Sequence, residues 1–168
     1  MEAISGLTRC TNVVQKVNSS VLAFYRDGEV QPTGILFEMH VSLTTLLHRK
    51  WIINSRGYAN IIPSKEDIVY GFIFELTQAD ERRLDKFEGK EYERLNKQVK
   101  LVTVKDSYKK GTVTALVYID IVRKDDDVPK DEYVDRINMA VKDGLKEGIP
   151  KEYFDKYIRP FIPERWEM

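Results

Sequence analysis

Residues 67–89 read DIVYGFIFELTQADERRLDKFEG, a strand pattern passing into a helix pattern within two dozen residues. In 67–76, Ile68, Tyr70, Phe72, Phe74 and Leu76 alternate with Val69, Gly71, Ile73 and Glu75, giving one strongly apolar face and one mixed face. Period two predicts a strand covered on at least one side. The next residues change period. Thr77 is a suitable N-cap, Asp80 and Glu81 suit the positive end of a helix, Leu84 and Phe87 are spaced by three, and Gly89 suits a left-handed helix end. Glu88 then sits at the negative end of the helix dipole, where an exposed carboxylate is disfavoured by ~0.3–1 kcal/mol. A basic residue would fit better there, and the same placement raises a carboxylate's pKa, as a general acid/base requires. A surface glutamate of no special role is the alternative reading.

Outward from this stretch, strand-like runs fill the middle of the chain: 34–47, 51–54, 58–62, 95–104 and 112–122. DSYKKG (106–111) between the last two predicts a hairpin connection and antiparallel pairing. After the charged turn RKDDDVPKD (123–131) the spacing becomes helical, with Tyr133, Val134, Ile137, Ala140, Val141 and Leu145 on one stripe before Gly148. A shorter helix starts near Pro150, carries Tyr153, Phe154, Tyr157 and Ile158, and stops at Pro160. Strands first and helices last argue for an α+β fold with a mostly antiparallel sheet or barrel.

A chain of 168 residues suits a single domain, here 1–168, able to bury roughly 70% of its unfolded surface. Lys plus Arg and Asp plus Glu both total 27, so no global field attracts nucleic acid or an anionic membrane. No signal-like or membrane-spanning run is evident, and a soluble cytoplasmic protein is expected. Cys10 is the sole cysteine, and His40 and His48 are not at metal-like spacing to each other. Neither a phosphate-binding glycine loop nor a GxSxG elbow occurs. Carboxylate acid–base chemistry remains, and Glu88 is its candidate.

Taken in order, Val69-Tyr70-Gly71, then Leu84, Asp85, Glu88, Gly89 and Tyr92, resemble the γ-glutamylcyclotransferase-like family, including its small fungal-type members. The resemblance extends over roughly residues 41–163, through RGYANIIPS and EYVDRINMAVKDGLKEGIPKEYFDKYIRPFIP. It implies a closed, mixed, mostly antiparallel β-barrel with flanking helices. The implied reaction is intramolecular aminolysis of a small γ-glutamyl compound, giving 5-oxoproline and an amine, as in glutathione metabolism. Glu88 would be the catalytic residue, Tyr133 and Tyr92 would line the substrate pocket, and no metal or cofactor would be required. The departure lies near the N-terminus, where the family carries a glycine-containing F-A-Y-G-S-N-L loop. Here Leu22, Ala23 and Phe24 stand at the F-A-Y positions, and Tyr25, Arg26 and Asp27 replace Gly, Ser and Asn. These six residues are the remaining substrate-binding candidates. A side chain at the glycine position either blocks close approach or reshapes the loop, and Arg26 could instead pair with a carboxylate. A divergent enzyme, a noncatalytic small-molecule binding module on the same fold, and an altered start of the sequence are the competing readings.

Overall fold

Why four of the predicted runs become two long strands is the main feature of the backbone. The computed structural model describes residues 13–15, 20–23, 38–75, 78–102 and 111–165. Its elements are β1 (Val13–Gln15), β2 (Ser20–Ala23), β3 (Glu38–Ile53), β4 (Ala59–Glu75), α1 (Gln78–Glu88), a 3-10 turn (Gly89–Glu91), β5 (Glu93–Leu101), β6 (Thr112–Ile119), α2 (Asp131–Lys146) and α3 (Lys151–Tyr157).

The segments 34–47 and 51–54 join in β3 because His48 is absorbed without ending the strand. Its φ is 59°, the register against β4 shifts between Leu47 and Arg49, and its Nδ1 lies 2.8 Å from the Lys65 carbonyl oxygen. The irregularity is bulge-like, with His48 alone on β3 opposite Ser64 to Asp67 on β4, and the ladder resumes beyond it. Arg49 faces Pro63, which has no N–H to offer, so the irregularity falls where the partner strand lacks a donor. The two strands are joined at a tight tip: the Asn54 N–H donates to the Tyr58 carbonyl (2.9 Å) and Gly57 N–H to the Asn54 carbonyl (2.8 Å). Gly57 has φ 81°, the left-handed region that glycine enters without a Cβ penalty.

The strands pair in the order β1-β2-β4-β3-β5-β6. All ladders are antiparallel apart from a single parallel pair, Val21↔Leu116, between β2 and β6. The described strands thus form a mixed α+β fold with an antiparallel sheet and flanking helices. Closure into a barrel is the finer expectation; β6 also pairs with β1, at Val13↔Val117 and Val14↔Leu116. β5 and β6 pair from Glu93↔Ile119 to Lys100↔Thr112, as the hairpin reading required, although most of its connection lies outside the described residues.

β4 is covered on both faces around its centre, since Val69, Phe72 and Ile73 are all buried and Tyr70 packs edge-on against Tyr153 of α3. α2 buries Tyr133, Val134, Ile137, Ala140 and Val141 as its spacing predicted. Leu145 departs from that stripe and is 44% exposed. Gly144 takes the inward position instead, where a Cβ would come within 2.6 Å of the Phe154 ring, so the missing side chain lets α3 approach α2. α3 begins after Pro150 and buries Tyr153, Phe154 and Tyr157, as expected.

Candidate active site

Three acids of α1 share one face. Glu81, Asp85 and Glu88 follow at intervals of four and three, the spacing that stacks side chains on a helix. That face turns toward β5 and β6. Arg94 of β5 pairs with Glu81 and, at 2.9 Å, with Asp85, whose other oxygen accepts the Tyr118 hydroxyl of β6. Glu81 is buried, where the sequence suggested an acid in the first turn acting on the helix dipole. Asp85 and Tyr118 thereby fix the last full turn of α1 before Glu88.

Glu88 is 7% exposed. The chain does not stop after it: φ and ψ at Glu88 are −64° and −30°, and Gly89 opens a 3-10 turn instead of ending the helical path. Such a turn tightens the end of a helix, and it leads directly to Tyr92, where the backbone becomes extended. Two phenols feel the Glu88 charge. Burial, and then Glu88, push the Tyr92 hydroxyl up to about 12. Burial, and then Asp85, also raise Tyr118, with a further contribution from Glu88. Both hydroxyls are therefore protonated donors at neutral pH. A buried carboxylate with two phenols in electrostatic reach can exchange a proton with a bound amine while the phenols remain neutral.

The other predicted residues are placed as follows. The Tyr92 hydroxyl donates to the Ala59 carbonyl at 3.4 Å, and the Tyr133 hydroxyl accepts the Ala59 N–H at 3.3 Å. Both tyrosines are buried, and Tyr133 packs edge-on against Tyr58 with ring centres 5.3 Å apart. Ala59, the first residue of β4, therefore links Tyr92 and Tyr133. Leu22 and Ala23 lie in β2, with their backbones opposite Ile73 and Phe72. Phe24, Tyr25, Arg26 and Asp27 lie outside the described residues, as do Thr77 and Cys10. His48 is exposed at its bulge, His40 is in β3, and no metal-binding cluster occurs among the described residues. No helix among them is long and apolar enough to cross a membrane.

Sequence reading missed a buried polar network beside Tyr92. Asp120, 1% exposed, follows β6 and accepts four hydrogen bonds. Its Oδ1 takes the N–H groups of Val122 and Arg123, both at 3.0 Å, and its Oδ2 takes Asn54 Nδ2 at 3.1 Å and Arg123 Nη1 at 2.7 Å. Asn60 closes the arrangement by accepting the Asp120 N–H (3.1 Å) and donating to its carbonyl (2.8 Å). Burial alone would push the Asp120 carboxyl up, but hydrogen bonds from Arg123 and Val122 outweigh it and hold the group below the usual range. The network ties the β3–β4 tip to the end of β6. The available signal was an acid inside the apolar run ALVYIDIV (115–122), because an ionised group in a buried strand requires partners.

The model of the family described as "Gamma-glutamyl cyclotransferase, AIG2-like" matches residues 29–135, a span that contains Glu88, Tyr92, Asp120 and Tyr133 and begins after residues 22–27. Among solved structures, one named "Gamma-glutamyl cyclotransferase" is 21% identical with a TM-score of 0.58, over 74% of this chain and 75% of its own. A second, an ensemble refinement of the crystal structure of uncharacterized protein loc79017 from Homo sapiens, is 19% identical with a TM-score of 0.59, over 82% of this chain and 80% of its own. At such identities these two likenesses speak to the fold alone. No curated protein gives a significant match. The family match covers well over half of the chain, and the chain belongs to the gamma-glutamyl cyclotransferase, AIG2-like family.

Proposed function

We propose that this protein is a γ-glutamylcyclotransferase-type enzyme that forms 5-oxoproline from a small γ-glutamyl compound, with Glu88 as the general acid/base. The observation that carries the reading is the buried Glu88 carboxylate at the end of α1, with the protonated hydroxyls of Tyr92 and Tyr118 in its electrostatic field. The α-ammonium of the γ-glutamyl group gives one proton to Glu88. The freed amine attacks the γ-carbonyl carbon of the same molecule, forming the ring C–N bond. As the tetrahedral adduct collapses, the original amide C–N bond breaks, Glu88 returns the proton to the departing nitrogen, and the second proton shed by the ring nitrogen ends on the released amine, which leaves as its ammonium. One carboxylate serves both transfers, and ring closure needs no second substrate because nucleophile and electrophile are already tethered. The Tyr92 and Tyr118 hydroxyls, which donate to the Ala59 carbonyl and to Asp85, stay protonated and so do not compete with Glu88 for the proton.

Tyr92 and Tyr133 are proposed to line the pocket through the Ala59 segment they share, and Leu22 to Asp27 to supply the adjoining loop. The proposed location is the cytoplasm, where small γ-glutamyl compounds would be the ligands. The reading is tested by incubating the full chain with a panel of γ-glutamyl amino acids and with glutathione and measuring 5-oxoproline and free amine. Equimolar release of both from at least one compound supports it. Absence of 5-oxoproline across the panel, with folded protein, contradicts it.

A further inference from the structure

We propose that the Arg56 guanidinium is the subsite for the α-carboxylate of the γ-glutamyl group, with Glu91 as its counter-ion when no substrate is bound. The inference rests on the proposed reaction for the identity of the ligand, and on geometry for the residue. In a γ-glutamyl compound the α-ammonium and the α-carboxylate are borne by the same carbon. A base that takes a proton from that ammonium therefore has the carboxylate as an immediate neighbour, and the group that holds the carboxylate lies close to the base.

Arg56 is the candidate. It lies in the β3–β4 tip, where its backbone N–H donates to Asn54 Oδ1 at 3.1 Å. Asn54 is in turn fixed to Asp120, so the arginine is carried by a rigid turn. Its guanidinium crosses from the tip to the 3-10 turn and pairs with Glu91, three residues beyond Glu88 and next to Tyr92. The Arg56 side chain is 28% exposed and Glu91 44%, so the pair lies at a rim open to solvent. The Arg56 charge reaches the same Tyr92 hydroxyl that the Glu88 charge reaches. A cation, a phenol and a buried carboxylate are thus brought together by two short segments, the tip and the 3-10 turn.

The chemistry of arginine suits the task. A guanidinium has five N–H donors in a planar fork, and its nearest approach to Glu91 is through Nη1. The rest of the fork can receive a substrate carboxylate, a pairing that is commonly bidentate. Glu91, being exposed, can release the guanidinium at little cost, since exposed ion pairs contribute only ~0–1 kcal/mol. A merely structural bridge would show that small effect and nothing else.

The test is calorimetric binding of γ-L-glutamyl-L-alanine and of its α-carboxamide counterpart to full-length Glu88→Gln protein, in which proton transfer is removed and binding can be read alone. The carboxylate form is expected to bind about 10- to 100-fold more tightly, the range of a charge-assisted pair at about 1.4 kcal/mol per tenfold. Adding Arg56→Gln should collapse that preference to below about threefold, whereas Glu91→Gln should tighten the carboxylate form alone by removing its competitor. A preference that survives Arg56→Gln, an equal effect of Glu91→Gln on both ligands, or binding of neither ligand overturns the assignment. Because this readout does not require turnover, an Arg56-dependent preference in a protein whose parent releases no 5-oxoproline would refute the proposed reaction and leave the subsite standing.

Discussion

Asparagine at position 120 should be poorly tolerated despite its near-identical shape. All four acceptor positions of the Asp120 carboxylate are filled, two by backbone N–H groups and two by Asn54 Nδ2 and Arg123 Nη1. An asparagine retains one oxygen and presents an NH2 group to the other pair of donors. If the oxygen stays with Val122 and Arg123 N–H, the NH2 faces Asn54 Nδ2 and the guanidinium. Arg123 is 31% exposed at its side chain and can turn to solvent. Asn54 is 0% exposed and cannot, and its own Oδ1 already accepts the Arg56 N–H, so flipping its amide breaks that bond. The cost combines a stranded buried donor with the loss of a charge-assisted pair, together ~3–5 kcal/mol. For a chain of this size that corresponds to a fall in Tm of about 6–20 °C. The pH dependence gives a second readout. The folded-state pKa of Asp120 is depressed, so its contribution is present above the unfolded carboxylate range near 3.8 and disappears as pH falls through the lower folded value. Thermal and urea denaturation of both proteins at pH 7 and pH 3 are the assays, and the difference between them should narrow at pH 3. A variant within 1 kcal/mol of the parent at pH 7, or a gap that widens in acid, would refute the role given to this network.

Gly57→Ala should destabilise by ~2–4 kcal/mol in urea denaturation, because its φ of 81° is unfavourable for alanine and the new Cβ would lie 3.0 Å from Lys130 N and 3.2 Å from the Val128 carbonyl oxygen. Asp67 is held down to about 2, first by the Ser64 hydroxyl at 2.6 Å and then by the Tyr157 hydroxyl at 2.5 Å. Its stabilisation should be complete above about pH 4 and lost as pH falls through 2, and Asp67→Ala should flatten the acid limb of a stability profile over that window.

Periodicity exposed most of the fold because each long element has a single dominant face. The stripe of α2 and the alternation in β4 are visible without any partner. What periodicity could not show was how interruptions resolve. His48 and Pro63 read as breaks between separate strands, yet together they form an irregularity inside one long hairpin, because the ladder resumes at Arg49↔Pro63 once β4 has taken up the extra residues between Ser64 and Asp67. Leu145 was placed in the core by spacing, whereas approach of α3 selects Gly144, a choice decided by tertiary contact alone. Glu88 stood out in the sequence through its conflict with the helix dipole and the motif around it, and its burial is what the structure adds. The pairing of Glu81 and Asp85 did not stand out, because their partner Arg94 lies beyond the 3-10 turn and Tyr118 comes from another strand. Asp120, Asn54 and Asn60 escaped for the same reason: polar residues in apolar runs announce that partners exist and leave their identity to the topology.

The central claim is proton transfer by Glu88, and the most direct measurement is the rate of 5-oxoproline release by Glu88→Gln beside the parent, on a γ-glutamyl compound the parent turns over. Circular dichroism and denaturation should show both proteins folded, since the amide is nearly isosteric with the carboxylate. The expected result is a loss of ~10²–10⁴ in kcat, the span of general acid–base catalysis. Parent-like turnover by folded Glu88→Gln protein would contradict the claim.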